Sequence, residues 1–103
     1  MKAMVLNCLC RVPKDSHPLA PVELPDPEPG DGEVLLRVTT CGVCHTELDE
    51  IEGRTPPPEL PAILGHQVVG RVAAVGPNVE GLRCGDRVGV GWIYSACGTC
   101  EFC

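Results

Sequence analysis

Eleven prolines and twelve glycines are scattered along 103 residues, and this punctuation limits the fold more than any other feature of the chain. Proline fixes φ and removes a backbone donor, and glycine weakens helices and strands alike, so regular elements must fit into the short gaps between them. Such gaps suit strands and tight loops better than long helices. With apolar residues at 44% and charged residues at 21%, the composition is that of a folded globular unit rather than a disordered one. The reading is a mostly β fold, with residues 1–103 as one domain of modest core.

Individual segments follow from their patterns. "KAMVLNCLC" reads as a first strand, with Cys8 and Cys10 on one face as small hydrophobes. "APVELPDPEPGDG" is extended but broken by proline, which suits an edge or a loop. "EVLLRVTTCG" places Val34, Leu36 and Val38 on one side of a pleat. In "CHTELDEIEG" the period changes: Cys44, Leu48 and Ile51 share a helical face, Thr46 with Asp49 offers a capping box, and Gly53 is a natural stop. The acidic run Glu47, Asp49, Glu50 and Glu52 reads as the solvated face of that helix. "HQVVGRVAAVG" and "CGDRVGVGW" supply two further strands, the second entered through a turn at Cys84.

A net charge of -6 and a pI near 4.9 leave no basic stripe along the sequence that would neutralise a phosphate backbone, so nucleic acid is not an expected partner. No apolar run approaches the roughly 20 residues that span a bilayer, and no cleavable leader is evident, so the expected location is cytoplasmic without membrane contact. Eight cysteines then call for metal binding or catalysis rather than a disulfide framework, which needs an oxidising compartment.

The sharpest cysteine signal is "CGTCEFC", where Cys97, Cys100 and Cys103 recur at a spacing that lets thiolates converge on one zinc ion around a flexible Gly98. A fourth ligand is not evident nearby. An iron–sulfur cluster would share the C-x2-C-x2-C beginning, but its x3-C-P continuation is missing. A second constellation pairs Cys44, at the mouth of the short helix where the N-terminal partial charge favours a thiolate, with His66, at the start of a strand after Gly65.

Taken in order, "CGVCHTELD", "LGHQVVGRVAAVG", "GDRVGVGW" and "CGTCEFC" resemble the amino-terminal catalytic domain of zinc-dependent alcohol dehydrogenases of the medium-chain dehydrogenase/reductase family. The resemblance spans nearly the whole chain. It implies a GroES-like irregular β-barrel with short helices, followed in complete members by a Rossmann domain for NAD or NADP. "GVGWIY" does not complete the G-x-G-x-x-G turn of such a domain. The resemblance further implies that the chain stops within the structural-zinc loop, before a fourth cysteine and before the third catalytic ligand, so that these residues alone are inactive.

On the same grounds Cys44 and His66 correspond to ligands of a catalytic zinc, and Cys97, Cys100 and Cys103 to ligands of a structural one. Thr46 corresponds to the hydroxyl that relays the alcohol proton, set against its reading as a helix cap. His45 corresponds to a position near the cofactor phosphate or in the relay, set against a solvated first-turn residue. Gln67 stands where many relatives carry Glu beside the metal, a departure that should leave the site more electropositive. The implied substrate is a small alcohol or aldehyde, and the implied parent is a homo-oligomer. The alternative is a non-enzymatic GroES-like module that completes its metal site with another chain.

Overall fold

The computed structural model describes residues 1–13, 16–93 and 96–103. Tyr94, the last residue of the "GVGWIY" stretch weighed above, lies outside them. The described strands form a two-stranded sheet, β1 (Lys2–Leu6) with β2 (Leu19–Glu23), and a three-stranded sheet of β3 (Val34–Gly42), β4 (Gln67–Val75) and β5 (Arg87–Val90) in the order β3-β4-β5, with one helix, α1 (His45–Glu52). The class is therefore mostly β, with two open antiparallel sheets among the described residues. No described helix is long and apolar enough to cross a membrane.

The chain divides into two compact units. The first comprises Met1–Pro27 and Val43–Gly65. Its strands pair from Lys2↔Glu23 to Leu6↔Leu19, and Pro21 is accommodated because β2, among the described strands, pairs only with β1. Leu6, fully buried, exchanges backbone hydrogen bonds with Ala62 at 2.8 and 3.0 Å, which tethers the proline-rich loop. Val5 and Ile51 complete its buried apolar set, and Cys10 N–H donates to the Ile51 carbonyl at 3.0 Å. β1 ends at Leu6, earlier than the sequence suggested. Cys8 is consequently exposed and Cys10 half-buried beyond the strand, rather than packed on one of its faces.

The second unit comprises Glu28–Gly42 and His66–Cys103. Val72 is its most deeply buried side chain among the described apolar residues. The β3–β4 ladder runs from Val34↔Val75 to Gly42↔Gln67 with register shifts between Leu35 and Leu36 and between Val38 and Thr40. Those shifts break the even alternation expected for β3, and Val38 is left 54% exposed. The turn that feeds β3 is fixed by Gly32 N–H donating to the Pro77 carbonyl at 2.8 Å and Gly76 N–H to the Glu33 carbonyl at 2.9 Å.

Candidate metal centres

The loop at Cys97–Cys103 brings its three thiols together without help from regular structure. Gly98 takes a positive φ of 68°, and the turn it permits aims the Cys100 N–H at Cys97 Sγ, 3.3 Å away. Cys97 Sγ lies 3.4 Å and Cys100 Sγ 3.1 Å from Cys103 Sγ, and all three sulfurs fall within 4.8 Å of one another. The Thr99 hydroxyl donates to Cys97 Sγ at 3.5 Å. That hydroxyl first, then the Thr99 and Cys100 N–H groups and the Cys103 thiol, draw the Cys97 thiol down to about 6. A thiolate at neutral pH is the form a metal ion takes.

The donor set fits zinc. In a tetrahedron with Zn–S of about 2.3 Å the sulfurs stand about 3.8 Å apart, so the separations of 3.4 and 3.1 Å would open by about 0.4 and about 0.7 Å to receive the ion. All three residues are exposed, which leaves the cluster accessible from solvent.

At the first turn of α1 the structure corrects the sequence. Cys44, not Thr46, is the N-cap: its backbone is extended at φ -126° and ψ -171°, and its Sγ accepts from Thr46 N–H at 3.4 Å. The box closes through Glu47, whose Oε2 accepts from Cys44 N–H at 2.6 Å. Glu47 is only 6% exposed, so it is not part of a solvated acidic face. Two others on that run are also engaged: Glu52 accepts from Val12 N–H at 3.1 Å, and Asp49 and Glu52 both pair with Arg54, whereas Glu50 Oε2 is buried without a hydrogen-bond partner among the described residues. Gly53 ends the helix in the left-handed conformation, as its position in the sequence predicted.

Sequence reasoning missed Glu47 because cysteine is not among the usual capping residues, and the more familiar Thr46 and Asp49 offered a competing box. Its signal was the three-residue spacing from Cys44. Thr46 is exposed, and among the described residues its hydroxyl has no hydrogen-bond partner. His45 has a largely exposed ring, with Nε2 3.5 Å from Asp49 Oδ1.

In the second unit His66 directly precedes β4 and is half-buried. Gln67, the first residue of β4, pairs with Gly42, the last of β3, and its side chain lies across that glycine: a Cβ on Gly42 would meet Gln67 Oε1 at 2.7 Å. Cys41 and Cys84, in the same unit, make local contacts with backbone carbonyls. Cys41 Sγ is 3.6 Å from the Gly42 carbonyl and Cys84 Sγ 3.5 Å from that of Ala73. All eight cysteines are free, so no disulfide framework is formed.

The chain is similar to several known proteins. An alcohol dehydrogenase from Geobacillus stearothermophilus is 51% identical over 87 residues, 84% of this chain and 26% of that protein. The acryloyl-coenzyme A reductase of Sulfurisphaera tokodaii is 42% identical over 103 residues, 100% of this chain and 29% of that protein. Among solved structures, the cobalt- and zinc-bound thermostable alcohol dehydrogenase of Pyrobaculum aerophilum superposes with a TM-score of 0.82 at 32% identity, over 100% of this chain and 30% of its own. The chain thus spans about a quarter of the length of the curated relatives it matches, from 23% to 29%. The family model described as the alcohol dehydrogenase GroES-like domain matches residues 30–103, and the chain belongs to that family.

Proposed function

We propose that this chain is the zinc-binding part of an alcohol dehydrogenase that interconverts alcohols with aldehydes or ketones by hydride transfer to or from NAD(P). The observation that carries the reading is the convergent thiol cluster of Cys97, Cys100 and Cys103 in a chain whose relatives include alcohol dehydrogenases. A zinc ion held there is structural, bracing an otherwise irregular loop.

Cys44 and His66 are assigned to a second, catalytic zinc, which when bound supplies Lewis-acid polarisation of the substrate oxygen. Support comes from the family to which the chain belongs and from the resemblance of "CGVCHTELD" and "LGHQVVGRVAAVG" to its motifs. Thr46, exposed one turn-step from Cys44, is assigned to carry the alcohol proton on its hydroxyl. His45 hands that proton outward or meets the cofactor's phosphate. Glu47 orients Cys44 through the Cys44 N–H, and Gln67 presents a neutral amide where a carboxylate would add negative charge.

In the assembled homo-oligomeric enzyme, Cys44→Ser and His66→Ala should each abolish alcohol oxidation while leaving one zinc per chain. These 103 residues alone should show no NAD(P)-linked turnover. The match to an acryloyl-coenzyme A reductase favours one other substrate class, and reduction of an enoyl thioester, with alcohols inert, would replace the alcohol reading. A non-enzymatic module is favoured instead if zinc content rises only when two chains associate, since three thiols are one short of a closed tetrahedral site.

A further inference from the structure

The β3–β4–β5 register sets three arginines in one row. Arg37 pairs with Arg71, and Arg71 pairs with Arg87. Residues directly opposite in adjacent strands project from the same face of a sheet, so the three side chains leave the sheet together, their roots about 5 Å apart from strand to strand. All three are exposed, while the neighbours that alternate with Arg71 along β4, Gly70 and Val72, are buried on the other face.

Like charges placed directly opposite destabilise a sheet. Two guanidinium groups outside the row are neutralised: Arg54 lies on Asp49 and Glu52, and Arg83 lies 3.8 Å from Asp86. The row differs from these two. Among the described residues the side chains of Arg37 and Arg87 have no ion pair or hydrogen bond, and Arg71 donates through Nη1 only to the Gly85 carbonyl, at 2.8 Å. That bond holds the central fork in place and leaves its remaining N–H groups for a ligand.

We propose that Arg37, Arg71 and Arg87 form a binding site for the phosphate group of a small soluble phosphomonoester. Guanidinium forks match the oxygens of phosphate and carboxylate alike, but three forks rising from one row on one face suit a dianion with three terminal oxygens, one for each arginine. A carboxylate, with two oxygens and one charge, occupies a single fork and leaves the other two arginines repelling. The site is flat and open, so binding should be modest and salt-sensitive.

The test is titration of the folded protein with glycerol 3-phosphate, inorganic phosphate and malonate at an ionic strength of about 0.01 M, where charges interact over about 30 Å. Arginine Nε–Hε shifts and melting temperature are the readouts. Saturable binding of both phosphates, tighter than malonate, is expected. Arg71→Gln and Arg71→Lys should each weaken it by about tenfold, the Lys variant because it keeps the charge but loses the fork. Arg83→Gln should leave binding unchanged. Arg71→Gln should also melt higher than the parent without phosphate, by relief of repulsion, and gain no further stability when phosphate is added. Non-saturable shifts, malonate binding as tightly as phosphate, or equal affinity of Arg71→Gln and Arg83→Gln would each overturn the assignment. Inorganic phosphate binding without glycerol 3-phosphate binding would overturn the phosphomonoester as its ligand.

Discussion

Replacing Gly76 with alanine tests whether the turn into β3 is built as described. Gly76 follows β4, and its N–H donates to the Glu33 carbonyl at 2.9 Å. A Cβ there would fall inside the radius of the Gly30 carbonyl oxygen and lie 3.0 Å from the Glu33 oxygen and 3.1 Å from the Gly30 carbonyl carbon. These are backbone atoms, which cannot rotate aside as the end of a side chain can. Forcing them apart costs about 1–3 kcal/mol in strain, as overpacking does. It also loosens two hydrogen bonds, from Gly76 to Glu33 and from Gly32 to Pro77, each worth about 0.5–1.5 kcal/mol. Together the loss is about 3 kcal/mol, a large share of the roughly 5–15 kcal/mol that holds a domain of this size folded. Since 1 kcal/mol moves the melting point of such a domain by about 4–8 °C, the midpoint should fall by more than about 10 °C. Thermal and urea unfolding followed by circular dichroism give the two measurements, with Gly91→Ala as control because nothing lies within 4 Å of a Cβ at that position. If Gly76→Ala unfolds within about 0.5 kcal/mol of that control, the close approach of the turn to β4 is wrong.

Other outcomes follow from the sites. Glu47→Ala removes the acceptor for Cys44 N–H and should lower stability by about 1–3 kcal/mol in urea unfolding, whereas Glu47→Gln, which keeps an acceptor, should lose less. Alkylation of metal-free protein by iodoacetamide should reach half its maximal rate at Cys97 near pH 6, because the Thr99 hydroxyl and neighbouring N–H groups hold its thiol down at about 6; peptide mapping across a pH series reads it, and a midpoint above about 8, the ordinary thiol range, would refute the hydrogen-bonded thiolate. The sign is that of a depressed acid: the thiolate persists above pH 6 and is lost below it. Gln67→Glu in the assembled enzyme should change turnover or product release more than zinc content, and unaltered kinetics would count against a role for the missing charge.

Local features were legible in the sequence to the extent that they depended on neighbours along the chain. The helix could be read from Cys44, Leu48 and Ile51, and its end from Gly53, because period and a left-handed stop are properties of a few consecutive residues. The thiol cluster was legible for the same reason, with all three thiols within one short loop. The cap was misplaced because a cysteine side chain accepts the helix N–H groups where a hydroxyl or carboxylate is usual. Glu47 looked like one more solvated acid until burial showed otherwise. In β3 the alternation assumed a regular pleat, but two register shifts change which side chains face inward, and Val38 is exposed as a result. Nor could the arginine row be seen along the sequence, since only strand pairing places Arg37, Arg71 and Arg87 opposite one another. Assigning Cys44 and His66 to one metal needed the family resemblance, because each alone is weak evidence.

The central claim is that Cys97, Cys100 and Cys103 bind zinc. Cobalt(II) titration of the reduced protein, followed at the thiolate-to-cobalt charge-transfer band and reversed by zinc, measures it directly. The account predicts that the band grows to a stoichiometric end point, is bleached by zinc, and is lost in Cys100→Ser while surviving in Cys84→Ser. A charge-transfer band that never forms, or one equally strong in both variants, would contradict it.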